Sequence, residues 1–471
     1  MIRILHLILG SIIVMLSACY PRDRVMELSS SSKEAQELFS QARQLFQEHK
    51  FERSQELLRE AIRHDPDFAV AYAMLNDEAN VGKAMDLIDN TSRGEELFIR
   101  YKWAAINLNI EEEISCLERM TALLPDDPWP HYYLGLTYHI HKQNLEMSAS
   151  EFLKALELDP NHIISLNRLG YYYVRRKMFD LAEQTFKQYI AIAPHVANAY
   201  DSYAEFLITR QRYDESFVLL EKCMEVDPEW MVGYAKIGEL YAFKGMHKKA
   251  IEYYNHSLEL IEDLPTIRFV YNWKAASLYS LGEYNNVITL FDELGEIMHS
   301  GEMYIFELDR YEWPLHMSFF LGDFEQVLYF SHQYDNFVER NLSNFPEPNA
   351  LRFTAKLRMA LAHGLVGNRI ESDRLLSLAG QMVFDLGLPA LANKWYQTIL
   401  GWLEIHRGNY EQAIVCFETD EFDLLLAKYW HGYAYQQAGY EETAQEIYSE
   451  IRPYYTYTFP YALCMGKLSG K

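Results

Sequence analysis

The sequence predicts an all-α solenoid, a stack of helix pairs, and three observations carry the prediction. Asp159-Pro160, Ala193-Pro194 and Asp227-Pro228 fall at identical 34-residue steps. One pattern returns at that step: His131, Leu134-Gly135 and Tyr138, then Leu166, Leu169-Gly170 and Tyr173. Tyr200, Tyr203-Ala204 and Leu207 follow, and finally Tyr234, Ile237-Gly238 and Tyr241. Behind each copy stands a small residue and then a bulky one: Ser148/Phe152, Ala182/Phe186, Ser216/Leu220 and Ala250/Tyr254. The cause is mechanical. Glycine or alanine beside a leucine lets a second helix approach closely, and the bulky side chain fills the space between turns. One such pair cannot bury its apolar face alone, so neighbours must stack and share a core.

These residues resemble the tetratricopeptide repeat, a helix–turn–helix unit with W-x2-L-G-x2-Y, A-x3-F and a closing proline. The resemblance implies a right-handed superhelical solenoid of tetratricopeptide and tetratricopeptide-like pairs. It also implies a binding surface rather than an enzyme. It is strict over 129–262 and looser over nearly all the remainder.

In chain order, residues 1–18 read as a signal peptide. Arg3 gives a positive start, and Ile4 to Met15 form a mostly apolar run too short for a membrane span. Leu16-Ser17-Ala18-Cys19 resembles a bacterial lipobox. That implies cleavage before Cys19 and acyl chains, of the palmitate kind, on its thiol and amino terminus. Two or three chains are needed, because one holds a protein to a bilayer only marginally. An ordinary cleaved signal and an uncleaved anchor are the alternatives. Residues 19–33, with Pro21 and the run Ser29 to Ser32, read as a tether. Tyr20 stands where an aspartate favours the inner membrane in enteric bacteria, which points to the outer membrane facing the periplasm.

Residues 34–68 fit a first repeat through Ala42, Leu45, Ser54, Leu58, Ala61 and Asp65-Pro66. The phase is then lost, and 69–93 reads as an irregular insertion. Residues 94–264 form the repeat block, opening with a pair that places Trp103, Ala104, Ile114 and Leu117 on its apolar faces. Over 265–453 the closing prolines vanish, but glycine turns persist at Gly282, Gly322, Gly367, Gly408 and Gly439. Val287/Phe291, Ala413/Phe417 and Ala444/Tyr448 keep the small-then-bulky spacing. This half reads as degenerate repeats continuing the stack, with a separate α-helical domain as the alternative. Residues 454–471, rich in tyrosine, are expected to cap the open end of the last pair.

The net charge is −24 and the pI about 5.1. So acidic a surface argues against nucleic acid and for a basic partner. Cys116, Cys223, Cys416 and Cys464 lie far apart with no C-x-x-C, so they read as small buried side chains rather than zinc ligands. An extracytoplasmic disulfide is the other possibility. His139 and His141 point to different sides of a helix. No nucleophile elbow, H-E-x-x-H or phosphate-cradling loop appears, so neither catalysis nor a cofactor is expected.

In the repeat family, ligands lie along the concave wall built by the first helices. The resemblance places Trp129, Tyr132, Asn167, Tyr171, Arg175, Asn198, Asp201, Glu205, Lys236 and Glu239 on that wall. Solvated helix faces are the plain alternative. Asp201, Glu205 and Glu239 stand where a clamp for acidic tails would need lysine and asparagine. The expected function is therefore a lipid-anchored scaffold of the bacterial cell envelope. It would hold an envelope protein or peptide segment, basic or mixed in charge. A helical nutrient or glycan receptor is the alternative reading.

Overall fold

The computed structural model describes residues 24–141, 144–385, 389–418, 425–451 and 458–468. The signal segment, Cys19 and the first part of the tether lie outside the described residues, as do Tyr454, Tyr455 and Tyr457. Among the described residues all regular structure is helical, and none of those helices is long and apolar enough to cross a membrane. The fold is an all-α stack of helix pairs.

The chain divides into two compact units. The first holds the residues up to Phe206 together with Glu225–Asp227; the second holds Leu207–Met224 and Pro228–Lys471. In the first unit the pairs are Lys33–Gln47 with Phe51–His64, Ala69–Leu75 with Glu78–Asp86, and Arg93–Ile106 with Ile110–Leu123. Pro128–Ile140 with Leu145–Leu158 and Ile163–Arg175 with Phe179–Ile192 complete it, each pair packed on the next. In the second, Met231–Phe243 with His247–Leu260 leads to Leu264–Ser280 with Tyr284–Ser300 and Asp309–Leu321 with Phe324–Arg340. Then come Pro348–Leu365 with Arg369–Asp385, Pro389–Arg407 with Tyr410–Glu418, Leu425–Gln437 with Glu441–Ile451, and the single helix Phe459–Leu468.

Short-range chemistry explains the step. In the regular repeats a proline follows the second helix, and where an aspartate precedes that proline its carboxylate turns onto the next free N–H. Asp65 Oδ1 accepts from Asp67 at 3.1 Å and Asp159 Oδ1 from Asn161 at 3.0 Å. The tyrosine that opens the repeated pattern bonds back to the same turn. Tyr200 Oη donates to the Pro194 carbonyl at 3.0 Å and Tyr234 Oη to that of Pro228 at 3.2 Å.

The glycines mark where helices touch. A Cβ on Gly135, Gly170 or Gly238 would lie 2.7, 2.6 or 2.6 Å from the ring of Phe152, Phe186 or Tyr254. The same device recurs in the half with no proline signature, where Gly401 faces Phe417 at 2.7 Å and Gly432 faces Tyr448 at 2.6 Å. In the four pairs from Gly170 onward the bulky ring stands sixteen positions after the glycine.

The expected glycine turns adopt the left-handed backbone, with φ of 79° at Gly282, 80° at Gly322, 83° at Gly367, 78° at Gly408 and 95° at Gly439. In the first unit the corresponding turns use His49, Leu108 and Lys177, at φ of 63°, 55° and 56°. Leu108 is 77% exposed, so its side chain contributes no packing. Leu108→Gly is therefore expected to stabilise the protein by about 1 kcal/mol through relief of the left-handed strain. Urea denaturation checks the shift in midpoint.

Three segments differ from the sequence reading. Residues 69–93, read as an irregular insertion, form a short helix pair and a 3-10 turn. The phase is lost because Asn76, at φ 66°, breaks the first helix after seven residues. Trp103 does not join the buried core but keeps 39% exposure. Residues 24–32, read as tether, lie along the folded repeats. The Arg24 carbonyl accepts from Asp126 N–H at 2.9 Å, and its guanidinium pairs with Asp126 at 2.8 Å. Met26 N–H donates to Asp127 at 3.3 Å, Ser29 N–H to buried Glu95 at 3.0 Å, and Ser30 Oγ to Asp65 at 2.5 Å. Ser92 Oγ donates to the Glu27 carbonyl at 2.6 Å. Backbone bonding of this kind has no hydropathy signature, which is why a serine-rich composition concealed it.

Candidate functional site in the first-helix wall

Trp129 begins the wall, placed by Pro128 at the helix start and by Asp127, whose carboxylate caps the Trp129 N–H at 3.0 Å. It is not an open aromatic anchor. The Arg43 guanidinium lies 4.5 Å above its ring and 3.6 Å from Asp127, and Phe46 and His162 stand 6.1 and 5.0 Å away. Tyr132 is 1% exposed, between Phe152 at 6.1 Å and His162 at 5.6 Å. The reason is a long-range contact: the end of helix Lys33–Gln47 and the turn after it reach across to this wall.

That turn also meets the next helix. His49 Nε2 lies 3.5 Å from the Nδ2 of buried Asn167, a contact spanning 118 positions. Asn198 donates to Tyr189 Oη at 3.2 Å, and Asp201 is buried beside them. Burial raises the Tyr189 hydroxyl to about 12; the Asn198 bond works against this, and the charges of Asp201 and Glu48 add to it. Tyr171, half-buried, donates to Glu205 Oε2 at 3.2 Å, with its ring 5.5 Å from Phe186. Arg175 is exposed. In the second unit, Lys236 and Glu239 are buried on helix Met231–Phe243 instead of forming a solvated face. Of the ten expected wall residues, only Tyr171, Arg175 and Glu205 keep substantial open surface.

A pocket of about 290 Å³ opens where the turn approaches the wall. Gln44, Gln47 and Asn161 line it with amides, Ile163 and Ile192 with apolar surface, and Glu48 and His195 with a pair 3.5 Å apart. Sequence reasoning missed Gln44, Gln47 and Glu48, and no periodic signal could have found them, since their neighbours are more than a hundred positions away.

The wall is sensitive to acid. Burial, with the Arg168 charge adding to it, pulls His49 down to about 4; burial and Arg43 pull His162 down to about 3. Unfolded histidines take a proton near pH 6.5. The stability these neutral rings confer is therefore complete above pH 6.5 and is lost as pH falls toward 4 and 3. Between pH 7 and 5 the wild type should lose about 1–2 kcal/mol more than His49→Asn, at roughly 1.4 kcal/mol per pH unit for one group. Urea midpoints at the two pH values measure the difference.

Cys116, Cys223, Cys416 and Cys464 are free and buried. His141 pairs with buried Glu113 at 3.4 Å. No group of three metal-ligating side chains forms among the described residues.

Comparison with known proteins agrees with this architecture. Residues 131–162, 151–184 and 233–264 match family profiles described as tetratricopeptide repeat. Residues 131–184 and 233–264 therefore carry tetratricopeptide repeats. Among curated proteins it is 24% identical over 162 residues to anaphase-promoting complex subunit 8 of Arabidopsis thaliana, covering 34% of this chain and 28% of that one. The chain thus spans about a quarter of the length of the curated relatives it matches. Among solved structures it is 23% identical to MamA from Desulfovibrio magneticus RS-1, covering 36% of this chain and 94% of that one, with a TM-score of 0.31. A tetratricopeptide repeat protein from Parabacteroides merdae is 16% identical, covering 56% and 93%, with a TM-score of 0.36.

Proposed function

We propose that the chain is a lipid-anchored adaptor of the bacterial cell envelope, holding a polypeptide segment against the first-helix wall of its first unit. The observation that carries this is the open strip of Tyr171, Arg175 and Glu205, on the wall that also bounds the amide-lined pocket. Amides suit a peptide backbone, and a half-buried tyrosine is a rigid anchor that loses little freedom on binding. Glu48 and Glu205 favour a partner segment of basic or mixed charge. Anchoring rests on Leu16 to Cys19, and an outer-membrane position on Tyr20.

A photo-reactive phenylalanine analogue at Tyr171 tests the site in intact envelopes. It should capture a discrete partner, whereas the same group at exposed Gln188 on the second helix should not. Equal capture at both positions, or none at either, defeats the reading. Cys19→Ser tests the anchor separately and should shift most of the protein out of the membrane fraction. Unchanged detergent partitioning, with no acyl mass on the wild-type protein, would show that Cys19 is not lipidated.

A further inference from the structure

The pocket beside the wall is a seam in the first unit, and its two sides come from chain segments more than a hundred positions apart. Gln47 and Glu48, at the end of helix Lys33–Gln47, form one side. Ile163, Ile192 and Ala193, at the loops that close two later pairs, form the floor of the other.

The first side is built of acceptors. Glu48 is only 8% exposed, and its Oε1 accepts from Gln44 Nε2 at 3.1 Å. Lys50 Nζ and His195 Nε2 stand farther from the carboxylate, at 3.6 and 3.5 Å, on side chains 44% and 65% exposed. Gln47 Oε1 is buried and has no hydrogen-bond partner among the described residues. Leaving such an acceptor unpaired costs stability. Helix Lys33–Gln47 has no basic residue in its last turn, so the negative end of its dipole adds to the charge of Glu48. A second carboxylate acts nearby: besides burial, which the Asn198 bond opposes, the charges of Asp201 and Glu48 both raise the Tyr189 hydroxyl.

The other side is apolar and firm. Ile163 and Ala193 belong to one packed cluster with Tyr189, and Ile192 rests against it. At about 290 Å³ the pocket lies at the lower end of small-molecule sites, which run upward from about 300 Å³. Acceptors over an apolar floor suit a short carbon chain that ends in a cation.

We propose that this seam is a binding site for a small organic ammonium. The charged head lies against Glu48 and Gln47 Oε1, and the carbon stem lies on Ile163, Ile192 and Ala193. A molecule so placed touches both sides and staples the first helix pair to the fifth, Ile163–Arg175 with Phe179–Ile192. A free amine and a lysine side chain offer the same chemistry, and the measurement separates them. The site does not rest on the partner strip at Tyr171, whose capture experiment gives its own answer.

Pentylamine is the probe, titrated calorimetrically into the full chain at about 150 mM salt, where exposed charges are screened. It should bind at one site, and 1-pentanol, which lacks the charge, should not. Glu48→Gln should weaken pentylamine about tenfold or more, the effect of losing a charged acceptor. Glu157→Gln, at an exposed position, should leave binding unchanged. Tighter binding of Nα-acetyl-lysine methylamide than of pentylamine identifies a lysine side chain as the source, and weaker binding identifies a free amine; either result supports the site. No binding of pentylamine, undiminished binding in Glu48→Gln, or an equal loss in Glu157→Gln overturns the proposal. Should Glu48→Gln not fold, hydrogen exchange on the wild type decides. Saturating pentylamine should slow exchange over both 44–50 and 161–167, and protection of one side alone, or of neither, likewise overturns it.

Discussion

Gly170→Val is expected to cost about 3 kcal/mol, at the upper end of the overpacking range. A Cβ there would lie 2.6 Å from Phe186 Cε1 and 2.7 Å from Cζ. The ring cannot swing aside, because Tyr171, Tyr203 and Phe206 surround it at 5.5, 6.4 and 5.8 Å. The helices Ile163–Arg175 and Phe179–Ile192 must separate instead. In a stack with nearest-neighbour coupling the damage should spread to adjoining pairs. Chemical denaturation reads the cost, and hydrogen exchange over residues 128–192 reads the spread. Gly82→Ala is the control. Its Cβ meets nothing nearer than Trp103 at 4.0 Å, so it should be neutral or stabilising by up to about 1 kcal/mol. An unchanged midpoint for Gly170→Val would show that this glycine does not set the helix spacing.

The second large effect is expected at Arg358→Met. Arg358 is buried, with its guanidinium 4.4 Å above the Tyr334 ring and bonded to Glu312, which His316 Nε2 also approaches at 3.8 Å. Burial pushes the Glu312 carboxyl up, but Arg358 and His316 more than offset it and hold it at about 2. Removing the arginine takes the bonded cation away from a largely buried carboxylate, leaving it His316 and the charge of Arg268. Breaking a buried pair in this way costs about 3–5 kcal/mol, and the lower figure applies because the Glu312 side chain keeps 25% exposure. The sign with pH follows. In the wild type the stability from ionised Glu312 is present above the unfolded carboxylate range and is lost as pH falls through about 2. In the variant, Glu312 protonates more readily, so the penalty should be largest near neutral pH and shrink below about pH 5. Glu312→Gln in the same chain should recover more than half of the loss. A pH-independent penalty, or no recovery, would mean that the arginine acts by packing alone.

The regular part of this fold was legible because each short-range choice repeats. Ala182/Phe186 and Ala444/Tyr448 are buried as their spacing implies, and Gly282 and Gly439 turn as expected. Gly401 and Gly432 could have been found too, by searching sixteen positions ahead of Phe417 and Tyr448. What stayed hidden depends on contacts without a period. Nothing near Trp129 in the chain announces that Arg43 covers it, and nothing in the composition of 459–468 directs it to Tyr279 as well as to the final pair. The same gap explains the site. The resemblance located the wall, but burial of Asn167, Asp201 and Glu239 was decided by residues far away in sequence.

The bonds of Arg24 to Asp126 bear on how high the protein stands above a bilayer. Under the proposed acylation, five Cα steps join Cys19 to Arg24, which at about 3.3–3.6 Å each can span no more than about 18 Å. A free serine-rich tail of fifteen residues would allow roughly three times that distance. The repeats would then sit near the headgroups and sweep only a shallow layer. A net charge of −24 held this close would be repelled by anionic lipid within a screening length of about 8 Å. The short mooring would thus fix the height of the protein while the surface charge tilts its body away from the membrane, toward partners arriving from the aqueous side.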